Sequence, residues 1–299
     1  MDITTRRISV LPGDGIGSEV INVALDELPD HFEIEALDVG AERYLSTGKL
    51  LEDEDLDTIR GSDAVLFGAI GDPRVPDGVL ERGVLLRLRK ELDLYVNLRP
   101  FPELGVTFVR ENTEGPYSGV GTREPDAATE TSVNTRAAIE RCARYAFELA
   151  ARGGSHLTWV HKTNVLVHAG SLWSEVVREV SQDFPEVSLS YQHADAAAYL
   201  LVMEPERFDV VLTDNLFGDL LSDLAAGLSG GLGSAASANL HPELATRPSR
   251  CVGLFEPVHG SAPDIAGMGR ADPTAAVRAA QMMIEALDKE PVTISREGR

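Results

Sequence analysis

Short apolar runs alternate with helix-type segments along most of this chain, and that alternation restricts the fold more than any other feature. "RRISVLPGDGIGSEVINVALDEL" reads as strand, glycine-rich turn and helix. "SDAVLFGAI", "LTWVHK" and "FDVVLTDN" are apolar runs of strand length, each set between helical segments. "NTRAAIERCARYAFELAARGG" places Ala138, Cys142, Tyr145, Ala146 and Leu149 on one helix face. Near-continuous apolar strands between amphipathic helices predict a sheet with both faces covered, hence an α/β fold. The 299 residues suffice for one large domain or two ordinary ones. No internal repeat or low-complexity linker interrupts the pattern.

Charge narrows the function classes. The net charge is -21, and only Lys49, Lys90, Lys162 and Lys289 are lysines. Such an acidic chain is a poor partner for nucleic acid or an anionic membrane, and it fits a protein kept soluble in concentrated salt, a halophilic setting that screens self-repulsion. Cys142 and Cys251 stand alone, so neither a disulfide framework nor a thiolate metal site is expected. The opening enters a strand at once without a signal-peptide core, and no apolar run has membrane-spanning length, so a cytoplasmic location is expected.

"TDNLFGDLLSDLAAGLSG" runs from a strand end into a helix that carries Asp219 and Asp223 one turn apart among leucines. Either this helix has one wet edge, or a cation offsets the aligned carboxylates. Asp195, in "YQHADAAAYLL", is a third candidate ligand or simply a first-turn carboxylate. An all-oxygen set suits Mg²⁺ or Mn²⁺ rather than Zn²⁺. Arg89 and Arg99 in "LRLRKELDLYVNLRP", with Arg110 and Tyr117 in "VRENTEGPY", could be surface charges or a polycarboxylate site. Lys162 ends an apolar strand, where it snorkels or, if buried, serves as a base. "GDGIGSEV" lacks the third glycine of the dinucleotide fingerprint, and a tight turn is the better reading. The small residues of "FEPVHGSAPDIAGMGRADPTAA" let backbone approach a ligand closely.

The stretches "LPGDGIGSEV", "GVLLRLRKELDLYVNLRP", "VRENTEGPY", "VHKTNVL", "TDNLFGDLLSDLAAG" and "FEPVHGSAPDIAGMGRADPTAA" follow one another in this order, from residue 8 to about residue 287, and on them the sequence resembles the β-decarboxylating dehydrogenases, most closely those acting on 3-isopropylmalate. The resemblance implies an α/β, two-domain, isocitrate/isopropylmalate dehydrogenase-like fold that is not Rossmann. Residues 1–99 with 230–299 would form the larger, NAD-binding domain, and 100–229 the central domain with the dimer interface. The active site would lie in the cleft and borrow residues across a homodimer, with a tetramer as the larger alternative. Arg89, Arg99 and Arg110 would bind the substrate carboxylates. Asp219 and Asp223 would hold Mg²⁺ or Mn²⁺ with Asp195 of the other subunit, which also reaches the substrate. Lys162, also from that subunit, would be the base on the C2 hydroxyl, and Tyr117 would move a proton after decarboxylation. Asn164, Glu256, His259, Gly260, Ser261, Ala262, Asp264, Ile265 and Asp272 would hold NAD. Asp264 and Ile265 stand where NADP-using relatives grip the 2′-phosphate, which a carboxylate would repel.

Val84, Leu85 and Leu86 precede Arg89 closely enough that at least one is expected to line the substrate site, Leu85 and Leu86 above all. A carboxylate forced against them would lose several kcal/mol, whereas an isopropyl group would gain roughly 1.5–3 kcal/mol. Arg87 is expected to face away from Arg89. The alternatives are a relative acting on isocitrate, homoisocitrate, tartrate or malate, and a non-catalytic truncated paralogue; retention of Lys162, Tyr117 and all three aspartates speaks against the last. Two departures stand out. The segment "FPELGV" is shorter than the family's, and the chain ends at "DKEPVTISREGR" where the family continues.

Overall fold

The computed structural model describes residues 5–154, 156–242, 251 and 253–288. The chain begins with β1 (Arg6–Gly13), α1 (Gly17–Leu25), β2 (Phe32–Ala36), α2 (Ala41–Thr47), α3 (Asp53–Arg60), β3 (Ala64–Ala69), a π-helical turn (Glu81–Leu85) and α4 (Leu86–Glu91). There follow β4 (Val96–Phe101), β5 (Val106–Glu111), β6 (Gly115–Arg123), β7 (Ala128–Val133), α5 (Arg136–Gly153), β8 (Leu157–His161) and α6 (Val167–Ser181). Then come β9 (Leu189–His193), α7 (Ala194–Met203), β10 (Val210–Thr213) and α8 (Asn215–Leu228), and last β11 (Ala236–Leu240), β12 (Gly253–Pro257) and α9 (Thr274–Leu287). They form two compact units. Among the described residues, one holds 5–94 and 230–288, the other Tyr95–Ser229.

In the first unit the strand order is β2-β1-β3-β12-β11, parallel except for the β11/β12 pair. Every residue of β3 is buried, as an apolar strand covered on both faces requires. Leu11, Leu56, Phe67, Val84, Leu88 and Leu254 form a core cluster there. β11 lies inside "GLSGGLGSAASANL" and is wholly buried. Its small side chains carry no strand signal, so the sequence shows only a small-residue stretch. The stretch "GVLLRLRKEL" is helical, as a π-turn that continues into α4.

In the second unit the order is β4-β5-β10-β8-β9, parallel except for β4/β5. The short "FPELGV" segment makes a tight hairpin between β4 and β5. The Leu104 N–H donates to the Phe101 carbonyl at 3.1 Å, the Gly105 N–H to that of Pro102 at 3.0 Å, and Gly105 turns the chain at a φ of 69°. Because β4 pairs along its length with β5, the units divide at Leu94/Tyr95 rather than after residue 99. β6 and β7 form a separate antiparallel ribbon, exposed over nearly all of its length. Thr135 caps α5 by accepting from the Ala138 N–H, and Asp214 caps α8 by accepting from the Phe217 N–H. Among the described residues no helix is long and apolar enough to cross a membrane. The chain end from residue 289 lies outside the described residues.

Candidate active site

Helix α8 answers the question its aspartates raise. Arg99, on β4, donates from Nη1 to Asp223 Oδ1 at 2.9 Å and to Ser222 Oγ at 2.8 Å, and from Nε to Asn97 Oδ1 at 2.8 Å. Its Nη2 lies 3.3 Å from Asp219 Oδ1. Arg110, on β5, is only 1 % exposed and donates to Asp219 Oδ1 and, from Nε and Nη2, to Asn215 Oδ1 at 3.0 and 2.6 Å. The Tyr117 hydroxyl donates to Asp219 Oδ2 at 2.6 Å, and its ring lies 5.1 Å below the Arg110 guanidinium. Two carboxylates thus face two guanidiniums, which removes the like-charge conflict along the helix. Gly218 makes room for this: a Cβ there would sit 2.6 Å from Arg110 Cγ.

The same side chains fit a divalent cation. The Asp219 and Asp223 side chains share one helix face and are 30 % and 48 % exposed, while the guanidiniums behind them are buried. Carboxylate oxygens are the donors Mg²⁺ and Mn²⁺ prefer. Among the described residues no three metal-ligating side chains cluster within one chain, so Asp195 does not join Asp219 and Asp223 here.

Asp195 instead meets Lys162. The lysine follows the end of β8, and its Nζ lies 2.5 Å from Asp195 Oδ1 in the first turn of α7. That hydrogen bond holds the Asp195 carboxyl below its usual range. Lys162 is not buried as a base from an apolar strand would be; its side chain is 24 % exposed, because it leaves the sheet at the strand end. The Lys162 carbonyl accepts from the Val165 and Leu166 N–H groups at 3.0 and 2.8 Å, which fixes the turn into α6. Asn164 is exposed in that turn.

Next to Lys162, His161 is fully buried, with its Nε2 3.5 Å from Asp214 Oδ2. Burial pushes the imidazole down to about 4 and the Asp214 carboxyl up to about 6, the latter opposed by the Phe217 N–H and by Arg110. At neutral pH the imidazole is uncharged, so this contact is not an ion pair. The two shifts act oppositely on stability. His161 binds fewer protons folded than unfolded between about pH 4 and 6.5, so its contribution grows as pH rises. Asp214 binds more protons folded between about pH 4 and 6, so its contribution falls there. Asp214→Asn keeps the helix cap and removes only the second slope. The unfolding free energy of the variant relative to the parent is therefore expected to move in the variant's favour by roughly 2–3 kcal/mol between pH 4 and 7. Urea midpoints across that range check this, and a pH-independent difference would contradict it.

The remaining expected site residues lie in the first unit. Arg89, on α4, is buried, and its Nη2 lies 3.2 Å from Glu256 Oε1 on β12. Glu256 also accepts from Asn239 Nδ2 at 2.8 Å and lies 3.5 Å from Ser237 Oγ. Its carboxylate is thus turned toward side chains of its own unit. Val84 packs into the core rather than lining a site, the half-buried Leu85 packs against that same core, and Leu86 is half-buried as well. Arg87 is held away by the Leu51 carbonyl and by Asp53 Oδ1 at 3.2 Å.

The glycine-rich turn after β1 packs on the loop carrying His259, Gly260, Ser261 and Ala262. The Ile16 N–H donates to the Ser261 carbonyl at 2.8 Å, and a Cβ at Gly15 would lie 2.0 Å from that oxygen. Glu19 accepts from the Gly267 and Gly269 N–H groups, anchoring the stretch after the exposed Asp264 and the half-buried Ile265. Asp272 accepts from the Thr274 N–H at 3.0 Å and from its hydroxyl at 2.6 Å. The sequence reading missed Asn97, Asn215, Ser222 and Asn239; Asn97 and Asn215 stood beside recognised residues in "VNLRP" and "TDN".

Comparison with known proteins adds the following. A family model described as isocitrate/isopropylmalate dehydrogenase matches residues 7–293. The 3-isopropylmalate dehydrogenase of Nocardia farcinica is 52 % identical over 302 residues, covering 94 % of this chain and 89 % of its own length. That of Corynebacterium efficiens is 52 % identical over 307 residues, covering 95 % and 88 %. Among solved structures, isocitrate dehydrogenase from Methylococcus capsulatus is similar with a TM-score of 0.85 at 37 % identity, covering 95 % of this chain and 86 % of that one. A β-decarboxylating dehydrogenase from Thermococcus kodakarensis has a TM-score of 0.78 at 40 % identity, covering 95 % and 84 %.

Proposed function

We propose a function from one premise: this chain belongs to the isocitrate/isopropylmalate dehydrogenase family. It is a β-decarboxylating dehydrogenase, and our reading is that it converts 3-isopropylmalate to 4-methyl-2-oxopentanoate, the leucine precursor, with NAD⁺. The observation that carries this reading is the convergence of Arg99, Arg110, Tyr117, Asp219 and Asp223 in one cluster. Cationic forks, a phenol and two metal-type carboxylates are what a hydroxy diacid needs for binding and decarboxylation.

In this reading Arg89, Arg99 and Arg110 bind the malate carboxylates, and Leu85 and Leu86 accept the isopropyl group. Lys162 takes the C2 hydroxyl proton as hydride leaves C2 for NAD⁺. A divalent cation held by Asp219 and Asp223, with Asp195 of the partner subunit, would polarise the C2 oxygen and favour loss of CO₂. Tyr117, already hydrogen-bonded to Asp219, hands a proton to the enolate carbon that remains. Asn164, Glu256, His259–Ala262, Asp264, Ile265 and Asp272 are assigned to NAD.

The active unit in this reading is at least a homodimer. Two facts support it. Asp195 and Lys162 lie apart from the Asp219 cluster within one chain. The packed pair α7 and α8 leaves Tyr199, Val202, Met203 and Leu220 more than half exposed. Apolar surface of that kind marks an association face, and both sets of carboxylates sit on those two helices. A cytoplasmic enzyme of small molecules completes the reading, in keeping with the net charge of -21. The test is product analysis. With 3-isopropylmalate, NAD⁺ and Mg²⁺ or Mn²⁺ in concentrated salt, CO₂, NADH and the oxo acid are expected in equal amounts. NADH without CO₂, or no reaction, would overturn it.

A further inference from the structure

We infer that Tyr191 is a positioning residue for Lys162, a role that rests on the function proposed above. Tyr191 lies on β9, next to β8, and its hydroxyl brackets the lysine from both sides along the chain. It donates to the His161 carbonyl at 3.0 Å and accepts from the Thr163 N–H at 3.3 Å. It is also 2.9 Å from Thr163 Oγ1 and 2.8 Å from His193 Nδ1. The carbonyl can only accept and the backbone N–H can only donate, so the phenolic proton goes to the His161 carbonyl and the Thr163 N–H donates to the phenolic oxygen, which leaves one lone pair to Thr163 Oγ1 and His193 Nδ1 beside it. His193 is the N-cap residue of α7, two positions before Asp195. One hydroxyl therefore ties the backbone on either side of the base to the helix start that carries the carboxylate facing it.

The surroundings keep that hydroxyl in place. The Tyr191 ring packs against Trp159 with centroids 4.4 Å apart. Gly170 of α6 presses on Thr163 so closely that a Cβ would lie 2.7 Å from Thr163 Cα. The base sits on a long flexible side chain, so its reach depends on a fixed backbone origin. A misplacement of about 1 Å costs a catalytic group up to roughly 100-fold.

Tyr191→Phe removes the hydroxyl and keeps the ring. In the holoenzyme, kcat for 3-isopropylmalate is expected to fall roughly 10–100-fold with KM within about two-fold of the parent. The deuterium isotope effect on kcat with substrate labelled at C2 is expected to rise, because the step in which hydride leaves C2 as Lys162 takes the hydroxyl proton becomes slower than later steps. A merely structural role would lower the melting temperature without moving the isotope effect. Labelling by an amine-specific reagent, mapped over the four lysines, gives a readout independent of turnover: the Lys162 rate is expected to change severalfold against Lys49 and Lys90. If Tyr191→Phe folds poorly, Thr163→Val should show the same direction of change in kcat and labelling with smaller size. A folded variant with unchanged kcat, isotope effect and Lys162 labelling would overturn the inference. A parent enzyme that leaves 3-isopropylmalate untouched would overturn the proposed function instead, and the labelling would still decide the role of Tyr191.

Discussion

Replacing Lys162 with alanine is expected to lower turnover by about 10²–10⁴-fold, with substrate affinity little changed. Among the described residues the lysine's ammonium pairs with the largely exposed Asp195 alone. Its loss therefore removes a proton acceptor without opening the core. A second outcome is tied to the proposed sharing of sites. If Lys162 serves the partner's substrate and Tyr117 its own, a hybrid of Lys162→Ala and Tyr117→Phe subunits has one site with both defects and one with neither. An equal mixture after full subunit exchange should then regain about a quarter of parent activity, since half of the dimers are hybrids with one intact site. Kinetics on the two variants, alone and mixed, check this. Activity that stays at the level of the single variants would place both residues in one chain's site.

Asp219→Asn is the second large effect. The Asp219 carboxylate is the meeting point of Arg99, Arg110 and Tyr117. Asparagine keeps the shape and one oxygen, so Arg110 retains Asn215 and part of its bonding, and the fold should survive with a loss of about 1–3 kcal/mol. Activity should fall far more, because a neutral amide is a poor ligand for a hard cation and gives the Tyr117 hydroxyl a weaker acceptor. Titration of Mn²⁺ into the variant should show weakened binding whether or not turnover is measurable. Undiminished metal binding, or full activity of the parent in a chelator, would contradict the assignment.

How much of this was legible in the sequence depended on whether a feature is local. The aspartates of α8 announce themselves, since like charges one turn apart in an apolar helix call for a compensating charge, and the parallel strands read directly as apolar runs. The sequence could not show that Arg99 and Arg110 supply that charge from β4 and β5, because it is sheet pairing that sets both strands beside α8. The ribbon β6/β7 escaped because both its faces are exposed, which erases the two-residue alternation. β11 escaped for the opposite reason, being buried with small residues on both sides. The engagement of Glu256 with Arg89 joins residues 167 positions apart and leaves no local trace. Tyr191 and His193 sit on a strand of intermediate burial and read as ordinary strand residues until their hydrogen bonds are traced.

The central claim is that the substrate carries an isopropyl group, and one ratio tests it most directly. Catalytic efficiencies for 3-isopropylmalate and isocitrate should be measured on the same preparation with NAD⁺, one metal and one salt concentration. Leu85 and Leu86 are half-buried at the start of α4, while Arg87 is held on Leu51 and Asp53. Arg87 is then not offered to a third carboxylate, and desolvating one against leucine costs several kcal/mol. A ratio of at least about 10³ in favour of 3-isopropylmalate is the predicted result. A ratio near one, or one favouring isocitrate, would contradict the account while leaving the family intact.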